Sequence, residues 1–171
     1  MYILILMVII IALGFIFLKQ LDQRRWKRYQ IDRDLFFRQN PYQLQQDTAC
    51  VVAVAMTKTA QFKLRNELML KTADERVLKT ALIQRMPSQS HHQYIIRVSI
   101  EEVLVGYLDK VYAARFCLQL QDTDFFIGRP IAVQAQVSFV TQHQGCIVRL
   151  NLVADPYQMS PHGLHEPTPI L

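Results

Sequence analysis

The first eighteen residues, MYILILMVIIIALGFIFL, carry no charged side chain, and no other feature constrains the chain as tightly. Gly14 is the only helix-weakening residue in the run. As a helix rising 1.5 Å per residue, the run would extend roughly 27 Å, close to the hydrocarbon thickness of a bilayer. A cleaved secretory signal wants a basic segment before its apolar stretch and small residues after it. Here nothing basic precedes the run, and Lys19-Gln20-Leu21-Asp22-Gln23-Arg24-Arg25 follows it. The run is therefore expected to be a retained transmembrane helix over residues 1–18, rather than a signal or a buried core helix.

The flanking charges set the expected orientation. Residues 19–38 hold seven basic side chains against three acidic ones. Basic residues beside a membrane helix stay in the cytoplasm. The expectation is a single-pass protein of the inner membrane, with its N-terminus outside and its remaining domain in the cytoplasm. Arg24, Arg25, Trp26, Lys27 and Arg28, within a basic linker over 19–45, would then meet anionic lipid headgroups. That stretch supplies four of the net +5 charges, so the high pI says little about nucleic acid. Residues 58–97 are themselves basic, eight against three, and read either as a basic face or as a solvated mixed-charge one.

Cys50, Cys117 and Cys146 lie far apart in apolar surroundings, with no CxxC pair, which suits buried free thiols and argues against a disulfide framework. A nucleophile needs a poised base, and apolar surroundings disfavour a thiolate. Neither Glu101-Glu102 nor Asp122 and Asp124 sits in an HExxH, GxSxG or paired-acid context, and no glycine-rich phosphate loop occurs. His91 and His92 are adjacent and would point to opposite faces of a strand, which does not favour a shared metal. No catalytic residues, metal or cofactor are expected, and the chain is read as non-enzymatic.

Along the chain, Asn40-Pro41 ends the juxtamembrane segment. CVVAVAM, at 50–56, reads as a buried strand. The next stretch is ambiguous: Thr72 to Glu75 has the form of a capping box leading into a short helix, whereas 68–70 and 81–83 also read as strands. Pro87 to His92 forms a polar loop. QYIIRVSI, at 93–100, is a strand with Tyr94, Ile96 and Val98 on one side; 103–105 is another, broken at Gly106. Residues 110–120 form a helix expected to bury Val111, Ala114, Cys117 and Leu118. Residues 131–140 alternate as a half-exposed strand, a turn follows at 142–145, and 146–153 returns as its hairpin partner. Residues 155–171, with four of the seven prolines, form a flexible tail. The fold class is α+β: the membrane helix, then over 46–154 a small, mostly antiparallel, barrel-like sheet with one or two helices.

Three segments together resemble a HIRAN domain, a small β-barrel-like module found beside helicase and nuclease domains. They are QRMPSQSHHQYIIRV at 84–98, Val105-Gly106-Tyr107-Leu108-Asp109-Lys110 with Ala113-Ala114 in the helix after it, and Val51-Val52-Ala53-Val54 as the opening strand. The resemblance covers 50–153, with an insertion around 63–79. It implies a module that captures single-stranded DNA ends, with an aromatic face for a base and donors for sugar and phosphate. On that basis Arg85, His91, His92, Tyr107 and Lys110 are the candidate ligand-binding residues. His91-His92 replaces the family's Tyr-Asp, and Ala55, Met56 and Thr57 replace its Arg and Tyr positions.

Two functional readings stand side by side. One is a membrane-tethered binding module for single-stranded nucleic acid or another anionic ligand. The other is a membrane-anchored adaptor that recruits a cytoplasmic protein partner.

Overall fold

The computed structural model describes residues 2–44, 50–68, 76–86, 94–140, 145–159 and 163–166, and divides the chain into two compact units, 1–36 and 37–171.

Helix α1 (Tyr2–Gln39) is rich in Leu, Ile, Gln and Arg, contains no proline, and stops just before Asn40-Pro41. It does not end where the apolar run ends. It passes through Lys19 into the basic segment, so residues expected to form a linker are helical, and Trp26 stacks on Tyr29 one turn along at 5.7 Å. Among the described residues no helix is long and apolar enough to cross a membrane, which corrects the expected single-pass anchor. Lys19, Asp22, Arg24 and Arg25 follow the apolar run within two turns of the same helix. The inner-membrane placement, with its outside N-terminus, rested on that anchor and falls with it. Arg24, Arg25, Trp26, Lys27 and Arg28 are exposed on the helix.

The second unit is built on β1 (Tyr42–Leu44), β2 (Val52–Ala53), β3 (Ala55–Met56), α2 (Lys58–Glu67), β4 (Arg76–Met86), β5 (Ile95–Ile100), β6 (Val103–Tyr107), α3 (Lys110–Gln119), β7 (Ile131–Val140), β8 (Gly145–Leu150) and β9 (Leu164–His165). The main path through the sheet runs β2-β8-β7-β4-β5-β6-β3, with every neighbouring pair antiparallel. Its two ends, β2 and β3, are separated by Val54 alone. The segment read as one strand, 50–56, thus turns at Val54 from pairing with β8 to pairing with β6, and Val54 N–H donates to the Val148 carbonyl at 3.0 Å. One short piece of chain holds both rims of the sheet, and the fold is α+β with a nearly closed antiparallel barrel-like sheet.

Alternation fills the interior. Ile83, Ile96, Val98, Val133, Ala135, Val137, Val148 and Leu150 are buried with their polar neighbours turned outward. At Gly106 the strand does not break, as its glycine suggested; it continues to Tyr107. The glycine is there because a Cβ would lie 2.1 Å from the Ala55 carbonyl oxygen, so only a bare backbone lets β3 lie against β6.

Asp109 caps α3, its carboxylate accepting from the N–H groups of Val111 and Tyr112. The buried face of α3 is Ala113, Phe116 and Cys117, with Leu120 at the end; Val111 and Leu118, expected inside, are 61% and 46% exposed. Phe116 sets the rotation by meeting Phe125 edge to face at 5.3 Å, a contact between segments that spacing alone cannot show. Leu64 is the one buried residue of α2. β4 occupies 76–86, so strand rather than helix follows the Thr72–Glu75 stretch, which lies outside the described residues together with 87–93, where a polar loop is expected, and 141–144, where most of a turn is expected.

The described part of the proline-rich tail folds onto the domain. Pro156–Gln158 makes a 3-10 turn capped by Asp155, Met159 is buried, and β9 pairs antiparallel with β1, which itself lies parallel to β7. Its apolar side chains find partners, which the composition of the segment did not suggest.

Candidate functional site

Strands β5 and β6 are joined by the two-residue turn Glu101-Glu102, both residues having positive φ (47° and 66°). A type I′ turn needs that geometry at both positions and is normally supplied by Asn and Gly. The hairpin therefore places two glutamates in a region that costs an ordinary side chain about 1 kcal/mol or more. Glu101 is held by Lys79 of β4.

Register fixes what stands on the outer face. Gln84, Arg97 and Tyr107 form one row across β4, β5 and β6, and Leu82, Ser99 and Leu104 form the next. A bulge between Val98 and Ser99 makes Val105 the extra residue and keeps both rows on one side. Leu108 N–H donates to the Ile96 carbonyl at 3.1 Å, the bond that flanks a non-hydrogen-bonded pair, so Arg97 and Tyr107 are the closely spaced kind of cross-strand neighbours.

Two grooves adjoin this row. The first, of about 440 Å³, runs between β6 and the first turns of α2, lined by Thr57, Thr59, Lys63, Leu104 and Tyr107 among others. The second, also of about 440 Å³, is lined by Arg38, Gln84, Arg97, Ser99 and Leu104, with Leu82 and Pro130 as apolar walls. Glu102 and Leu104 belong to both. Lys63, Arg38 and Arg97 outnumber the single carboxylate of Glu102. Tyr107 is 43% exposed, whereas the Nε of Arg97 is buried with no hydrogen-bond partner. The Nε of Arg85, on the other side of the sheet, is buried without a hydrogen-bond partner in the same way.

The structure divides the residues singled out from sequence. Tyr107 lies in the first groove. Arg85 pairs in register with the buried Ile96 and so faces the other side of the sheet from Tyr107. There it lies over the Phe126 ring at 4.0 Å and donates to the Phe126 carbonyl, holding the segment after α3. Lys110 opens α3 exposed and lines neither groove. His91 and His92 lie outside the described residues. Arg97, Gln84, Ser99 and Glu102 were not singled out, although the alternation that put Ile96 and Val98 inward already turned Arg97 and Ser99 outward.

Among the described residues no three His, Cys, Asp or Glu side chains come together to hold a metal. The three cysteines are free, and burial pushes the Cys117 thiol up to about 11 and raises that of Cys146. No protein-family model, curated protein or solved structure matches the chain.

Proposed function

We propose that the barrel is a non-enzymatic binding module for single-stranded nucleic acid, or a ligand of the same phosphate-and-ring chemistry, held on the outer face of β5 and β6. The observation that carries this reading is the Arg97–Tyr107 pair: an arginine directly opposite an exposed aromatic side chain, with Lys63 lining the groove of Tyr107 and Arg38 that of Arg97. Phosphate contacts come from such cations, and bases stack on such rings without regard to sequence. The HIRAN resemblance supports the same reading at Tyr107, the position its Gly-Tyr-Leu motif matches. The separation of Arg85 moves the cationic role from Arg85 to Arg97.

Fluorescence anisotropy of a labelled single-stranded oligonucleotide tests it. The 171-residue chain should bind with affinity that falls steeply as salt rises. Tyr107→Ala should weaken binding by roughly 1–3 kcal/mol. Arg97→Gln should weaken binding and flatten the salt dependence, while Arg85→Gln should act on stability instead. Absence of binding at low salt removes the reading.

A second reading, a protein-interaction adaptor, is favoured by the outer side of α3, where Val111, Leu118 and Tyr157 are exposed. A partner using that face would be retained after nuclease treatment and lost in a Val111→Asp, Leu118→Asp variant.

A further inference from the structure

Two arginines line the second groove, and they are held in different ways. Arg97 stands within β5, between two paired strands, whereas Arg38 belongs to the last turn of α1. The final carbonyls of a helix have no partner within it, so a helix end is only as firm as its outside contacts. Arg129 supplies those contacts on both sides of Arg38. Before it, Phe37 is buried, and the Arg129 guanidinium lies 6.0 Å from the centre of its ring. After it, the Asn40 carbonyl accepts from Arg129 Nε at 2.9 Å. Two residues further on, the Tyr42 ring lies 4.0 Å from the same guanidinium. Tyr42 N–H also donates at 2.9 Å to the carbonyl of Pro130, which follows Arg129 and itself lines the groove. Arg38 alone in this stretch combines exposure with a place in the groove.

Resting on the binding function proposed above, we infer that Arg129 is a positioning residue for that site, gripping the chain on either side of Arg38 and holding this cation at the groove of Arg97. Arg129 does not meet the ligand itself. It is 3% exposed, and its charge is already shared between Asp124 at 3.4 Å and Glu166 at 3.3 Å. A cation whose backbone is fixed before a phosphate arrives loses less freedom on binding it. The role suits arginine in particular, because one planar guanidinium can donate to a carbonyl, face rings and meet carboxylates at once, which an ammonium cannot.

A double-mutant cycle on the 171-residue chain tests this, with labelled oligothymidylate as the probe and a temperature at which every variant is folded by circular dichroism. Arg38→Gln should weaken binding roughly five- to tenfold and lower the magnitude of the salt slope by about 0.7, the signature of one lost phosphate contact on a single strand. Arg129→Met should reproduce both changes although Arg129 is buried, and the double variant should bind no more weakly than Arg38→Gln. Arg129→Lys keeps the charge but not the planar fork, and should show the same two changes in a chain whose ion pairs are retained. Tyr107→Ala, in the other groove, should instead add its loss to that of Arg129→Met. Additive losses for Arg38 and Arg129, or an Arg129 loss with the parental salt slope, make Arg129 a general support and overturn its positioning role. Parental binding by Arg38→Gln overturns it too, while leaving the nucleic-acid reading intact. Failure of the parent chain to bind at low salt overturns the two together.

Discussion

Arg129 and Glu166 meet at 3.3 Å, and the arginine that makes this contact is 3% exposed while the glutamate stands largely in solvent. The same guanidinium reaches Asp124 at 3.4 Å, lies 4.0 Å from the centre of the Tyr42 ring, and donates through Nε to the Asn40 carbonyl at 2.9 Å. One side chain thus ties the end of α1, strand β1, the segment after α3 and the final described residue.

The partners of Arg129 are unequal, and the inequality predicts an asymmetry. Glu166→Gln removes a charge already screened by water and should cost under about 1 kcal/mol. Arg129→Met also removes the Asn40 hydrogen bond and the ring contact, and should cost about 1–3 kcal/mol. Urea midpoints of the two variants give the comparison; equal losses would refute the assignment.

Gly106→Ala should be among the most damaging substitutions available. The added methyl would meet the Ala55 carbonyl at 2.1 Å, and that oxygen belongs to backbone that cannot swing aside. A loss of about 3 kcal/mol or more is expected, or failure to form the β3–β6 seam. Hydrogen exchange should show the damage first at Ala55 and Met56, which pair with Tyr107 and Gly106.

The rotation of α3 can be measured directly. Phe116→Ala should cost about 3–5 kcal/mol, whereas Val111→Ser and Leu118→Ser should each stay within about 0.5–1 kcal/mol. Large losses at Val111 and Leu118 would restore the face that spacing predicts.

Thiol reactivity should rank the cysteines by burial. Cys50 is partly exposed and should react with an alkylating reagent first, with Cys117 and Cys146 protected in the folded chain. Cys117 also contributes to the pH dependence of stability. Burial raises its pKa from 9.0 to about 11. Between those values the unfolded thiol releases its proton while the folded one keeps it, so stability falls as pH rises. Cys117→Ala should flatten that fall, read as the change in unfolding midpoint between pH 8 and pH 11.

Much of the barrel was legible wherever side chains alternate over a long strand. Ile131–Val140 and Ile95–Ile100 carry their inward sets in plain order, and the helix at 110–119 is readable from its apolar spacing, although that spacing misplaces Val111 and Leu118 inside. Helix α2 was not legible because it buries only Leu64 and so has no apolar stripe to read; its cap, Thr57 accepting from Ala60 N–H, was the available signal. Closure at Val54 depends on partners almost a hundred residues apart, which no local pattern encodes. Of the site, Tyr107 was reached through family resemblance. Arg97 reads in the sequence as an ordinary outward residue of a strand, because its place opposite Tyr107 is a property of strand register.

The continuity of β2 and β3 across Val54 means that residues 50–56 do more than add a strand. Cutting them away would unroll a cylinder and leave β8 and β6 as two unpaired rims, each able to recruit a neighbouring molecule into an intermolecular sheet. A seven-residue staple of this kind therefore stands between a nearly closed barrel and a sticky ribbon.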